Sequence, residues 1–380
     1  MNYLFEKNQK GVFNMRKTGF IYDESYFWHD AGTAALVLPP GGYIQPDGSA
    51  ESPESKRRFK NLMERSGLYD QLHLIKPYAA TTEQLEYFHT TRYIQRVKEL
   101  SDAGGGDAGA LANVGRGSYE IAKLAAGGAI TAVEAVVKGE VDNAYALTRP
   151  PGHHAEADMG MGYCIFNNAV IAAQYARKEL GLDRVMVIDW DVHHGNGTED
   201  AFYKDPNVLF FSIHQEGVFP AGRGEIDHIG EGEGKGSTVN IPLPAGTSDA
   251  GYMYAFEQVV KPVTDAFKPQ LIIVSAGQDA NMYDPAARMM VTADGFKRMT
   301  KFMRELAEHN CDGKFVALHE GGYSTAYVPF CSHAIVEEMS GHQTDVVDPF
   351  IPVFEGMLPF AGLSDQQKAR VDEIRALHVK

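Results

Sequence analysis

The apolar positions of this chain fall into short runs, each ending abruptly in polar residues or glycine. Residues 185–190 (VMVIDW), 208–213 (VLFFSI), 271–275 (LIIVS), 315–318 (FVAL) and 143–148 (NAYALT) are the clearest. Runs this short, rich in β-branched and aromatic side chains, read as strands buried on both faces of a parallel sheet. Between them lie stretches of helical period: residues 118–137, 169–180, 199–203, 249–267 and 293–309. Strand alternating with helix predicts an α/β fold, an open and mostly parallel sheet flanked by helices.

The N-terminal third is less regular. From Lys17, TGFIYDESYFW reads as a first strand running into a loop. Residues 55–67 read as a helix with Phe59, Leu62 and Met63 on one face. Residues 82–100 read as a second helix, capped by Thr81 or Thr82. Two long loops, 38–55 and 101–117, are dense in Pro, Gly and Ser. Residues 364–377 close the chain as a helix. Residues 1–16 show no period and read as an N-terminal extension. No repeat or linker divides the rest, so residues 17–380 read as one domain.

Composition narrows the class without choosing a function. The chain has 380 residues, 44% hydrophobic and 22% charged, in the ordinary globular range. A net charge of −15 disfavours nucleic-acid binding. No apolar run approaches the roughly 18 residues that span a membrane. The first twenty residues lack the apolar core of a secretory signal, which points to the cytoplasm. Cys164, Cys311 and Cys331 are too widely spaced for a zinc pair and read as buried free thiols.

Chemistry enters at the strand ends. Five apolar runs are followed at once by RPPGHH (149–154), DWDVHH (189–194), SIHQ (212–215), GQDA (277–280) and HEGGY (319–323). Ligands of open α/β sheets bind beyond the carboxyl ends of the strands, so one site built from five loops accounts for the pattern. If the strand stays extended, Asp189, Asp191 and His193 share one side. Two carboxylates and an imidazole buried together need a compensating cation, and this donor set suits zinc. Asp279, after its own apolar run, is the natural third protein ligand, leaving room for water and a substrate oxygen. His153 and His154 follow a rigid Pro-Pro-Gly, which suits general acid–base work, with Asp189 and Asn196 as candidates to fix the rings. A tyrosine beside glycines is ordinarily packing, but Tyr323 in this company suits a donor to an oxyanion.

RPPGHH, DWDVHHGNGT, SIHQ and HEGGY in this order, with GQDA changed at one position, resemble the zinc-dependent histone deacetylase family. The nearest branch is that of the class II-like bacterial histone deacetylase-like amidohydrolases, matched over about residues 18–330. The resemblance implies the open sheet shared with arginases and hydrolysis of an acyl-lysine or other acylated amine. It implies one zinc ion per chain on Asp191, His193 and Asp279. His153, paired with Asp189, would activate water; His154, backed by Asn196, would protonate the leaving amine; Tyr323 would polarise the carbonyl. A potassium ion is implied beside Asp189, Asp191, His193, Ser212 and the Ile213 carbonyl, and a second near backbone oxygens of Phe202, Asp205 and Val208. Gly162, Tyr163 and Phe219 would line the acyl-lysine tunnel, and Ala286 stands where many members place leucine at the rim. Gln278 departs from the small or aromatic residue usual before the metal aspartate. Members of this branch are commonly homo-oligomers.

Two other classes compete. An arginase-like dinuclear hydrolase needs further carboxylates, and GQDA supplies one where two are required. A non-catalytic acyl-lysine binder predicts loss of Tyr323 or of a metal ligand, and both are present. Within the deacylases, an acetylated polyamine is the alternative substrate to acyl-lysine.

Overall fold

The computed structural model describes residues 15–36, 38–356 and 361–379. Most of the expected extension, residues 1–14, lies outside the described residues. Eight strands form the main sheet: β1 Thr18–Ile21, β2 His73–Ile75, β3 Asn143–Ala146, β4 Val185–Asp189, β5 Val208–Gln215, β6 Thr238–Leu243, β7 Leu271–Ala276 and β8 Phe315–His319. They lie in the order β6-β5-β4-β7-β8-β3-β1-β2, every pair parallel.

Alternation along the central strands divides their side chains between two cores. Met186, Ile188, Leu209, Phe211, Ile272 and Val274 enter one, with Phe256, Phe296 and Met299 from the covering helices. Val185, Val187, Val208, Phe210, Leu271 and Ile273 enter the other, against alanines of helices Ser118–Val137 and Asn168–Lys178. Both faces are therefore covered, which explains why these strands carry continuous apolar runs.

Several elements differ from expectation. The expected helix at 82–100 is two, Thr82–Leu85 and Thr91–Asp102. The chain leaves helical geometry between them so that buried His89 can bridge the Glu156 carbonyl and the Asn167 amide, each through one ring nitrogen. Thr90 then caps the second helix by accepting from Tyr93 N at 3.2 Å. The loop at 101–117 contains three short strands, Gly105–Asp107, Gly109–Ala110 and Asn113–Gly115. The TGFIYDESYFW segment makes β1 and then a 3₁₀ turn, Glu24–Trp28, capped by Asp23. Strands β2 and β6 and the helix Val328–Ser340 had no counterpart in the sequence reading.

Candidate active site

Strand β4 ends at Asp189, and the next residues turn instead of staying extended. Asp189, Asp191 and His193 therefore do not share one side of a strand. Asp189 Oδ1 accepts from Asp191 N at 3.0 Å, closing the turn, and its Oδ2 meets His153 Nδ1 at 2.9 Å. Asp191 and His193 meet Asp279, three residues beyond β7. His193 Nδ1 lies 3.0 Å from Asp191 Oδ1 and 3.1 Å from Asp279 Oδ2. Each of the three residues offers one ligand atom, and all these atoms lie within 4.8 Å of one another.

The charges here are poorly balanced by protein alone. Burial, and then the charge on Asp191, push the Asp279 carboxyl up to about 7. Against the push of burial, His153 and His193 hold Asp191 below the ordinary carboxylate range. One imidazole and two fully buried carboxylates converging in this way fit a divalent cation, and the donor set is one that zinc accepts. The close approach depends on Gly321, whose N–H donates to Asp191 Oδ2 at 2.8 Å. A Cβ there would collide with the carboxylates of both Asp279 and Asp191. Gln278 turns away, its amide nitrogen donating to the Ala276 carbonyl, so it faces the sheet.

The two histidines after Pro-Pro-Gly lie with ring centroids 3.9 Å apart and planes tilted by 38°, but have different partners. His154 Nδ1 lies 2.7 Å from Asn196 Oδ1. Burial disfavours a charged His153, but Asp191 and Asp189 outweigh it and raise its pKa well above the ordinary value. Burial, with the charges on His153 and His193, lowers that of His154 well below it. Tyr323 completes the floor, its ring 5.8 Å from Tyr163 and 6.5 Å from His193. Burial and the charges of Asp279 and Asp191 keep its phenol protonated.

Above this floor opens a narrow cavity. Gly162, Tyr163, Phe219 and Ala286 line it with His154, His193 and Tyr323, and Leu36, Ala50 and Leu111 complete the wall. The Phe219 ring stands edge-on to His154 at 5.0 Å. Gly162 has φ of 51°, and a Cβ there would press on His154 and Phe219. Among the described residues five non-glycine positions have positive φ, and three of them, Leu36 (58°), Leu111 (61°) and Tyr163 (69°), are in this wall. Such strain clusters where function over-determines the backbone.

The residues expected around potassium are partly together. Asp189 and Ser212 are register partners on β4 and β5, with Ile213 next in line. Phe202, Asp205 and Val208 lie on the turn into β5, where the Phe202 and Asp205 carbonyls already accept from Asp205 N and Ser237 Oγ. His194, the second histidine of DVHH, is not in the cavity; its Nε2 faces Glu199 Oε2 at 3.2 Å.

Several supporting residues were not expected from the sequence. Glu51 lies buried between Lys56 (3.1 Å) and Arg149 (2.9 Å). Glu320, inside HEGGY, accepts from Gly152 N at 2.7 Å and ties that loop to the histidines. Asp284 accepts from Tyr323 N and Ser324 N at 2.8 and 3.1 Å. Glu156, two residues past the histidine pair, accepts from Asn196 Nδ2 at 2.9 Å. Arg149, Glu320 and Glu156 lie in or beside quoted motifs and were findable there; Glu51, Lys56 and Asp284 carry no local mark.

This geometry can be set beside known proteins. A family model described as the histone deacetylase domain matches residues 49–339. The chain belongs to the histone deacetylase family. As a member, it is 48% identical over 364 residues to the histone deacetylase-like amidohydrolase of Pseudomonas aeruginosa, covering 95% of this chain and 96% of the relative. It is 39% identical over 311 residues to a probable deacetylase of Archaeoglobus fulgidus, covering 80% and 86%. The crystal structure of the HDA15 HD domain matches it with a TM-score of 0.83 at 29% identity, covering 96% of this chain and 94% of that one. The open parallel sheet is thus the histone deacetylase fold, and membership supports amide-hydrolysing, deacetylase-type activity. No helix among the described residues is long and apolar enough to cross a membrane.

Proposed function

We propose that the chain is a zinc-dependent deacylase that hydrolyses the amide of acetylated lysine-like amines. The observation that carries this reading is the pairing of a buried Asp191–His193–Asp279 cluster with His153, held by Asp189, and His154, held by Asn196, at the floor of one narrow cavity.

Asp191, His193 and Asp279 would hold the zinc, which when bound supplies Lewis acidity toward the acyl oxygen and acidifies water. The cavity wall grips the aliphatic stem, with Tyr163 and Phe219 as its aromatic faces. His153, its Nδ1–H held by Asp189, accepts a proton at Nε2 from the attacking water. The Tyr323 phenol donates to the carbonyl oxygen as negative charge develops there. His154 Nε2 takes the second proton of that water and passes it to the amine nitrogen as the C–N bond breaks, leaving a carboxylate and a free amine. Potassium beside Asp189, Asp191, His193, Ser212 and Ile213, a second potassium near Phe202, Asp205 and Val208, a cytoplasmic homo-oligomer and one catalytic domain over residues 17–380 belong to the same reading.

A second substrate class, acetylated polyamines, is favoured by one observation. The groove beside the cavity shares Leu111 and Tyr163 with it, and its charged lining among the described residues is acidic, Asp30 and Asp107. The test compares kcat/KM of zinc-loaded protein on an acetyl-lysine peptide with that on acetylated putrescine, cadaverine and spermidine. Turnover abolished by a chelator and restored by zinc supports the deacylase reading, and the preferred substrate decides between the two classes. Stoichiometric zinc with no cleavage of any of the four overturns it.

A further inference from the structure

We propose that Glu156 is a positioning residue of this reaction: it fixes which end of the Asn196 amide faces His154, and so which nitrogen of His154 is free to carry the proton. The inference rests on the reading above, in which His154 protonates the leaving amine.

The Asn196 side chain is fully buried and its two ends have nearly the same shape. Its chemistry differs sharply between the two orientations. With Oδ1 toward His154 Nδ1, at 2.7 Å, the imidazole must carry its resting proton on Nδ1. Nε2 then takes up the second proton of the attacking water and releases it to the amine nitrogen as the C–N bond breaks, and the ring returns to its neutral form. With the amide reversed, the NH₂ group would donate to Nδ1, and the resting proton would move to Nε2. Releasing that proton would leave an imidazolate anion, which is not accessible near neutral pH. Only one orientation permits the step.

Glu156 selects that orientation. Asn196 Nδ2 donates to Glu156 Oε1 at 2.9 Å and, less closely, to the His154 carbonyl at 3.3 Å. An ionised carboxylate accepts only, so it is satisfied by the amide NH₂ and repels the amide oxygen. Glu156 is itself placed by Arg223, whose Nη1 lies 3.6 Å from Glu156 Oε1 and whose Nη2 reaches the Asn196 carbonyl at 3.4 Å. Arg223 also pairs with Asp200. It lies four residues past Phe219, which packs against His154, so the tunnel wall and the amide lock belong to one loop.

The test uses Glu156→Ala and Glu156→Gln in the full chain, with two readouts. Histidine ¹⁵N resonances of the protein report the His154 tautomer directly. Steady-state rates are compared on an acetyl-lysine amide, whose amine must be protonated to leave, and on an aryl acetate, whose phenolate leaves unaided. The Ala variant is expected to lose the pure Nδ1–H tautomer and to drop about tenfold in kcat on the amide with KM little changed. Its aryl acetate rate should stay within about twofold of the parent. Gln presents an NH₂ donor as well as an acceptor and can pair with either end of Asn196, so Glu156→Gln keeps the contact without the selection and should impair both readouts as Ala does. Equal losses on amide and ester, an unchanged tautomer in the Ala variant, or a Gln variant that keeps the parent's tautomer and amide rate would each overturn the inference. A parent that cleaves no amide would instead sink the deacylase reading, while the tautomer measurement still tests the action of Glu156 on His154.

Discussion

The ammonium of Lys56 sits 5.8 Å from the centre of the Tyr323 ring, buried and held by Glu51. This places an ion cluster directly behind the residue proposed to stabilise the oxyanion. Arg149 extends it, bonding Glu51 and the carbonyls of Tyr26 and His29, so the loop before helix Glu54–Ser66 is tied to the RPPGHH turn. Lys56 contributes to Tyr323 as a cation over a ring face, and to the fold as a partner of Glu51.

Removing Glu51 leaves two buried cations facing each other, whereas removing Lys56 leaves one satisfied Glu51–Arg149 pair. Glu51→Gln should therefore cost about 3–5 kcal/mol, and Lys56→Met clearly less. Denaturant unfolding of the two variants gives the ranking; equal costs would mean that the charges are compensated by something other than each other.

Glu51 also sets a pH dependence. Burial raises its pKa, but Arg149 and Lys56 more than offset this and hold it at about 2, against 4.5 for a free glutamate. The folded state thus binds this proton less readily than the unfolded chain. The resulting stability is fully present above pH 4.5 and is lost as the pH falls toward 2. That loss is worth about 3 kcal/mol, and Glu51→Gln should flatten the acid limb of a stability-versus-pH curve by that order.

Tyr323→Phe removes one hydroxyl from the cavity floor and leaves all three metal-cluster side chains in place. Its kcat on an acetyl-lysine substrate should fall about 10²–10³-fold at unchanged zinc stoichiometry. A variant as fast as the parent would remove Tyr323 from the oxyanion role.

Ala286→Leu tests the rim. Ala286 lines the cavity mouth, and its N–H is anchored on Asp284 Oδ1 at 3.1 Å, so a larger side chain has a fixed starting point. The added bulk should raise KM for an acetyl-lysine peptide by about tenfold while changing that for small acetylated amines little. Equal effects on both would place the constriction deeper than the rim.

Much of this molecule was legible in its sequence because its chemistry follows directly on its strands. Asp189, Asp279 and Tyr323 stand within five residues of apolar runs whose burial on both faces leaves few readings besides a central parallel strand. What was not legible is instructive. Strand β6 holds Pro242 and Asn240, which break an apolar pattern; Pro242 is tolerated because β6 is the edge of the sheet. Strand β2 has three residues, two of them exposed, and carries no burial signal. The continued extension assumed past Asp189 failed because the Asp189 carboxylate accepts from Asp191 N and curls the chain. Glu51 and Arg149 are 98 residues apart, and no local pattern announces a pair that only the fold creates.

The left-handed backbone at Leu36, Leu111 and Tyr163 has a consequence for changing this protein. Glycine at any of these positions would relax the folded chain, yet it would also delete a piece of the wall that grips the substrate. Selection for heat resistance and selection for tight recognition would therefore favour opposite residues at the same three addresses. A library that varies only these positions would trade one property against the other along a single measurable front.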